Sequence, residues 1–215
     1  MSRSRSILRL TTGIVASAAA LCIFPTNVAA WGHGAQRLIV NKAIDTLPPD
    51  VRAYFDANRG FLGQHVTDPF DLLAKNPIER RNQFLYLERY GRFPYDTLPR
   101  NYKAALTKFG KVKLDSGGLL AWQIGVYSEK LTNSLKAGHW DEARVNAAFL
   151  AYYVAQAHDP FNTTENSDGH FSSQLGVNER FSTRLVDRFS SFFPLRPNDA
   201  FFIADPTPQI GRAHV

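Results

Sequence analysis

Apolar residues recur at helical spacing along most of the chain, and nowhere do they alternate with period two for long enough to predict a sheet. Leu38, Ile39, Ala43, Ile44 and Leu47 form one stripe, which the Pro48-Pro49 pair ends. Asp50 is placed to cap the next helix, which carries Val51, Tyr54, Phe55 and Phe61. Gly91, Pro94 and Pro99 punctuate a looser stretch over 92–99. The pattern then predicts a short helix over 101–109 closed by Gly110 and a longer one over 119–137 closed by Gly138. The helix predicted over 141–158 is the most apolar, with Ala147, Ala148, Leu150, Ala151, Tyr153 and Val154, and should be central until Pro160 stops it. A last amphipathic helix is predicted over 177–193, before Pro194. With no repeat, low-complexity run or Gly/Ser linker, residues 31–209 read as one all-α, multi-helix domain.

Residues 1–30 have a different pattern. Arg3, Arg5 and Arg9 precede an apolar stretch over 14–24, and Val28-Ala29-Ala30 supplies small residues at −3 and −1 of a cleavage site. Pro25 and Asn27 break the stretch well short of the ~20 residues a membrane span needs. The segment is therefore expected to be a cleaved signal peptide, which predicts an exported protein, periplasmic or extracellular, whose mature N-terminus is Trp31. The single cysteine, Cys22, falls inside the leader, so the mature chain has no thiol chemistry.

The composition, 44% hydrophobic and 20% charged, excludes a disordered chain. The formal charge of +6 falls to +3 without the leader, a balance that gives solubility or a local patch but no strong nucleic-acid or membrane signal in the mature chain, and no partner is identified. At the other end, Ile210-Gly-Arg-Ala-His-Val215 back-translates as ATC GGA AGA GCA CAC GTC, a common sequencing-library adapter whose next codon is TGA. Residues 210–215 are thus expected to be a non-native tail, with the domain incomplete and its natural frame continuing beyond about Gln209.

Several blocks, taken in order, resemble the zinc-dependent phospholipase C and single-strand-specific nuclease superfamily. They are Trp31-Gly32 with Arg37–Ile44, His65-Val66-Thr67-Asp68-Pro69, Leu98-Pro99-Arg100 and Leu119-Leu120-Ala121-Trp122-Gln123-Ile124. Tyr152-Tyr153-Val154-Ala155-Gln156-Ala157-His158-Asp159-Pro160-Phe161-Asn162 and Gln174-Leu175-Gly176-Val177-Asn178 complete the set. The resemblance implies an all-α fold with further helices downstream, and a cleft whose three zinc ions hydrolyse phosphodiesters.

The resemblance also implies nine ligand positions. Two are kept, the N-terminal Trp31 and Asp68, as vestigial matches to metal ligands. The others hold Gln36, Gln83, Tyr152, Gln156, Asn162, Asn178 and Ser182 in place of His or an acid. His158 matches a motif histidine that is not a direct ligand. Zinc takes imidazole, thiolate or carboxylate donors, and neutral amide and hydroxyl oxygens bind it poorly. Without the ions the metal-activated hydroxide is lost. No Ser/His/Asp elbow, Gly-rich phosphate loop or Cys/His pair offers a substitute, so no catalytic residue is assigned.

Because the replacements are mostly amides, which hydrogen-bond among themselves, the former metal centre is expected to be a neutral polar network. The leading expectation is an exported, non-catalytic relative of the zinc phosphodiesterases, with no cofactor. One alternative is an active ester hydrolase with a reduced or altered metal set, which would use zinc. A second is a hard-cation binder using Asp68 and the oxygens of Asp159, Asn162, Glu165, Asn166 and Asp168, although these lack a known calcium-loop spacing and are expected to be a solvated helix-end loop. His33 is expected to be an exposed loop residue, and His65, His139 and His170 to be scattered. Phe192, Phe193, Phe201 and Phe202 are expected to be core residues facing the missing helices.

Overall fold

The computed structural model describes residues 31–193, so the predicted leader, Phe201, Phe202 and the 210–215 tail lie outside the described residues. Within them the chain is helical and has no strand. Its spine is an antiparallel pair, α7 (Leu120–Lys136) and α8 (Trp140–Ala157), joined through Gly138, whose φ of +72° suits a residue without a side chain. Leu120, Ala121 and Ile124 of α7 are buried with Ala147, Ala148 and Tyr153 of α8, and Tyr127 packs on Phe149 and Tyr153 at 5.0 and 5.3 Å. The apolar stripe that predicts the 141–158 helix does mark the central element.

Helices α1 (His33–Asp45) and α3 (Arg59–His65) lie across α8 and bury Val40, Ile44 and Leu62. Between them, α2 (Pro49–Ala57) departs from expectation in two ways. Asp50 is not its cap: Pro49 opens the helix, where its missing N–H costs nothing, and Pro48 occupies the cap position. Phe61 belongs to α3, because the Asn58 side chain donates to the Tyr54 carbonyl at 2.9 Å and breaks the run. A one-turn helix α4 (Asp68–Asp71) follows.

The looser stretch is a chain of 3₁₀ turns, Pro77–Asn82 and Leu87–Tyr90, with backbone bonds to both sides. Leu85 N–H donates to Asn162 O at 2.8 Å, Tyr86 N–H to Gly117 O at 2.8 Å, and Leu119 N–H to Arg81 O at 2.6 Å. Helices α5 (Tyr102–Phe109) and α6 (Lys111–Gly117) form a corner at Gly110, with Asn101 capping α5 through Ala104 N–H at 3.1 Å. The last predicted helix is three segments: a π-helix at Glu179–Leu185, an α-turn Val186–Phe189 (α9) and a 3₁₀ turn Ser190–Phe192. Phe192 and Phe193 are not core among the described residues, being 80% and 37% exposed.

Candidate functional site

Tyr152 and Gln156 stand one turn apart on the inner face of α8 and are both buried. Past the end of α8, Asp159-Pro160 opens a 3₁₀ turn, Pro160–Asn162, that folds Asn162 back beneath the helix. There the Asn162 amide donates to the Gln156 carbonyl and to Gln156 Oε1, each at 3.0 Å. The Tyr152 hydroxyl donates to Gln83 Oε1, which the 3₁₀ segment brings in from the far side. Asn178 and Ser182 are buried on the C-terminal segment, where Gly32 N–H donates to the Ser182 carbonyl at 3.3 Å. One turn along α1 from Gly32 lies Gln36, 1% exposed. All seven positions where the resemblance implies a lost ligand are therefore buried.

The network is paired only in part. Both amide atoms of Gln36, Nε2 of Gln83, Oδ1 of Asn178, Oδ2 of Asp159 and Oγ of Ser182 have no hydrogen-bond partner among the described residues. Burial drives the Tyr152 phenol well above its ordinary value of 10.0, so the hydroxyl stays a neutral donor.

One acid missing from the expected set joins the site. Asp159 is fully buried rather than part of a solvated loop. Burial pushes its carboxyl above the ordinary 3.8, and the Phe161 N–H, 2.9 Å from Oδ1, pulls it partly back. The Asp-Pro step is the signal that could have found it, since an Asp before a turn accepts from the backbone N–H two residues on, as Asp159 does from Phe161. The other loop oxygens are also engaged. Glu165 pairs with Arg89, Asn166 Oδ1 accepts from Phe171 N–H at 2.8 Å, and Asp168 accepts from Gly176 and Asn178 N–H at 3.0 and 3.3 Å. They organise the loop instead of converging on a cation.

The two retained positions are not brought together with the network in the same way. Trp31 spans α8 and the C-terminal segment, its indole N–H donating to Ala155 O at 2.8 Å and its ring 6.3 Å from Phe181. Asp68 is half-buried on α4 and bonds His65 Nδ1 at 2.8 Å, so His65 is not isolated. His33 is exposed, as expected, but opens α1 rather than lying in a loop; it stands 3.9 Å from Asp71 and edge-on to Phe70. Exposed His158 meets the Val154 carbonyl at 2.8 Å.

Among the described residues, no three His, Cys, Asp or Glu are grouped to hold a metal ion. The donor set itself does not suit zinc: Gln83 Oε1 and Gln156 Oε1 are neutral and already accept hydrogen bonds, and the Tyr152 hydroxyl is engaged by Gln83. No family model, curated protein or solved structure matches the chain.

Proposed function

We propose that this chain is an exported, non-catalytic relative of the zinc-dependent phospholipase C and single-strand nuclease superfamily, its metal centre rebuilt as a neutral polar site that serves binding or structure. The observation that carries this reading is the burial of all seven substituted positions together with the direct pairing of Tyr152 with Gln83 and of Asn162 with Gln156. Paired neutral donors and acceptors at those positions are what a neutral polar site requires. Asp159 fits the same reading as a structural group, a buried carboxyl that accepts from the Phe161 N–H at 2.9 Å and opens the turn that carries Asn162.

The test is turnover of a chromogenic phosphodiester with zinc supplied, comparing the protein with its Asp68→Ala variant. Equal background rates are expected. Turnover that the substitution abolishes would establish the hydrolase instead. Export is checked separately by N-terminal sequencing of secreted material, which is expected to begin at Trp31.

A further inference from the structure

The small net charge conceals an asymmetry. Residues 92–117 carry six Lys and Arg against two acids, Asp96 and Asp115, whereas the remainder of 31–193 carries 14 basic and 15 acidic residues. Elsewhere the arginines are mostly matched: Arg52 and Arg59 share Asp45 and Asp56, Arg144 meets Asp141, and Arg184 meets Glu179. At this corner Arg92, Arg100, Lys103, Lys108 and Lys113 are exposed and carry no ion pair among the described residues.

The cations are held on one structural unit. Lys108 Nζ donates to the Thr97 carbonyl at 2.7 Å, which ties the 92–99 loop to α5. Lys108 and Lys113 lie 5.3 and 5.0 Å from the centre of the Phe109 ring, which joins α5 to α6. Three exposed apolar side chains are interleaved with the charges. Phe93 follows Arg92 and is 64% exposed, Tyr102 precedes Lys103 and is 37% exposed, and Val112 sits between Lys111 and Lys113 and is 85% exposed.

We infer that this corner, the 92–99 loop with α5 and α6, is a docking surface for a lipid surface bearing anionic headgroups. Lysine and arginine supply attraction to the charged plane, and exposed Phe, Tyr and Val supply apolar contact just below it. Val112 decides between lipid and nucleic acid. A single-stranded nucleic acid would use stacking platforms, and an aliphatic side chain offers neither a ring face nor a hydrogen bond, whereas acyl chains accept it readily. This inference goes beyond the proposed function and does not depend on the state of the metal positions.

The experiment is vesicle co-sedimentation of the full chain on phosphatidylcholine alone and on phosphatidylcholine with about 30% phosphatidylglycerol. Comparison is with Arg92→Gln/Lys103→Gln, with Val112→Ser, and with Lys75→Gln/Lys136→Gln, which removes two exposed cations elsewhere. The comparison is repeated on the form that begins at Trp31, because anchoring by residues 1–30 would mask differences among the four proteins. At about 5-fold per cation, the first double variant is expected to bind anionic vesicles roughly 25-fold more weakly, with circular dichroism unchanged. Val112→Ser is expected to weaken binding, and the Lys75/Lys136 control to stay within about 2-fold of wild type. Equal binding by wild type and the Arg92/Lys103 variant overturns the inference, as does equal loss in the control pair. A short single-stranded oligonucleotide that displaces the protein from the vesicles and loses affinity with the same substitutions would overturn it in favour of a nucleic-acid surface.

Discussion

Asp159 is a buried carboxyl whose proton affinity is raised in the folded chain. A group with a folded pKa above its unfolded one contributes stability that is complete below the unfolded value and disappears as pH rises through the folded value. Asp159→Asn keeps an oxygen to accept from Phe161 N–H but never ionises. It is therefore expected to gain more thermal stability over wild type at about pH 7 than at about pH 4. Equal gains at both pH values would contradict the assignment. Asn162 makes the opposite case. Its amide donates to both the carbonyl and the side-chain oxygen of Gln156; the carbonyl also accepts from Asp159 N–H at 3.2 Å, so Asn162→Ala takes the donor from the buried Oε1 and should cost about 1–3 kcal/mol in denaturant unfolding. A loss within error of zero would mean the pair contributes nothing. The residue types at the seven substituted positions were legible in the sequence, and so was their capacity to pair. The partner of each was not, because pairing Tyr152 with Gln83 requires a 3₁₀ segment with no apolar period of its own. The His65–Asp68 pair was within reach, since residues three apart across a helix end face one another.

Among the elements, those with strong periodicity and glycine stops were legible almost to the residue: α5, α7 and α8 end beside Gly110, Gly138 and the Asp159-Pro160 step. Failures came where a side chain or tertiary contact overrode the period. Asn58 splits α2 from α3, and the C-terminal segment winds as a π-helix where the Ser182 carbonyl meets Gly32. The segment that delivers Gln83 is fixed by another close approach. Gly118 has φ +94°, and a Cβ there would collide with the Phe84 carbonyl, which itself accepts from Leu120 N–H at 3.2 Å. Gly118→Ala is expected to cost about 2–4 kcal/mol, through strain at a positive φ and overpacking together. An unchanged midpoint in urea would show that the 81–87 segment adapts freely.

At the scale of the whole molecule, the all-α class followed from the helical period and the absence of alternation, and the core is where the most apolar stripe predicted it. The charge asymmetry was present in the residue counts but hidden by their sum; it gained meaning once the unpaired cations of 92–117 proved to share one corner with exposed apolar side chains. The polar site depends on a simple comparison. A complete structural zinc site is worth ~10–16 kcal/mol. Loss of a group that merely supports a ligand costs about 10-fold in affinity, or ~1.4 kcal/mol. On the proposed reading, seven ligand replacements at that low end remove about 10 kcal/mol from the cluster. Trp31 and half-buried Asp68, the latter already bonded to His65, cannot complete a tetrahedral shell between them. The most direct measurement is therefore elemental analysis of the purified protein after dialysis against zinc and then zinc-free buffer. The expected result is no stoichiometric zinc and an unchanged melting temperature; about one or more zinc per chain, with a melting temperature raised by the metal, would contradict the neutral polar site.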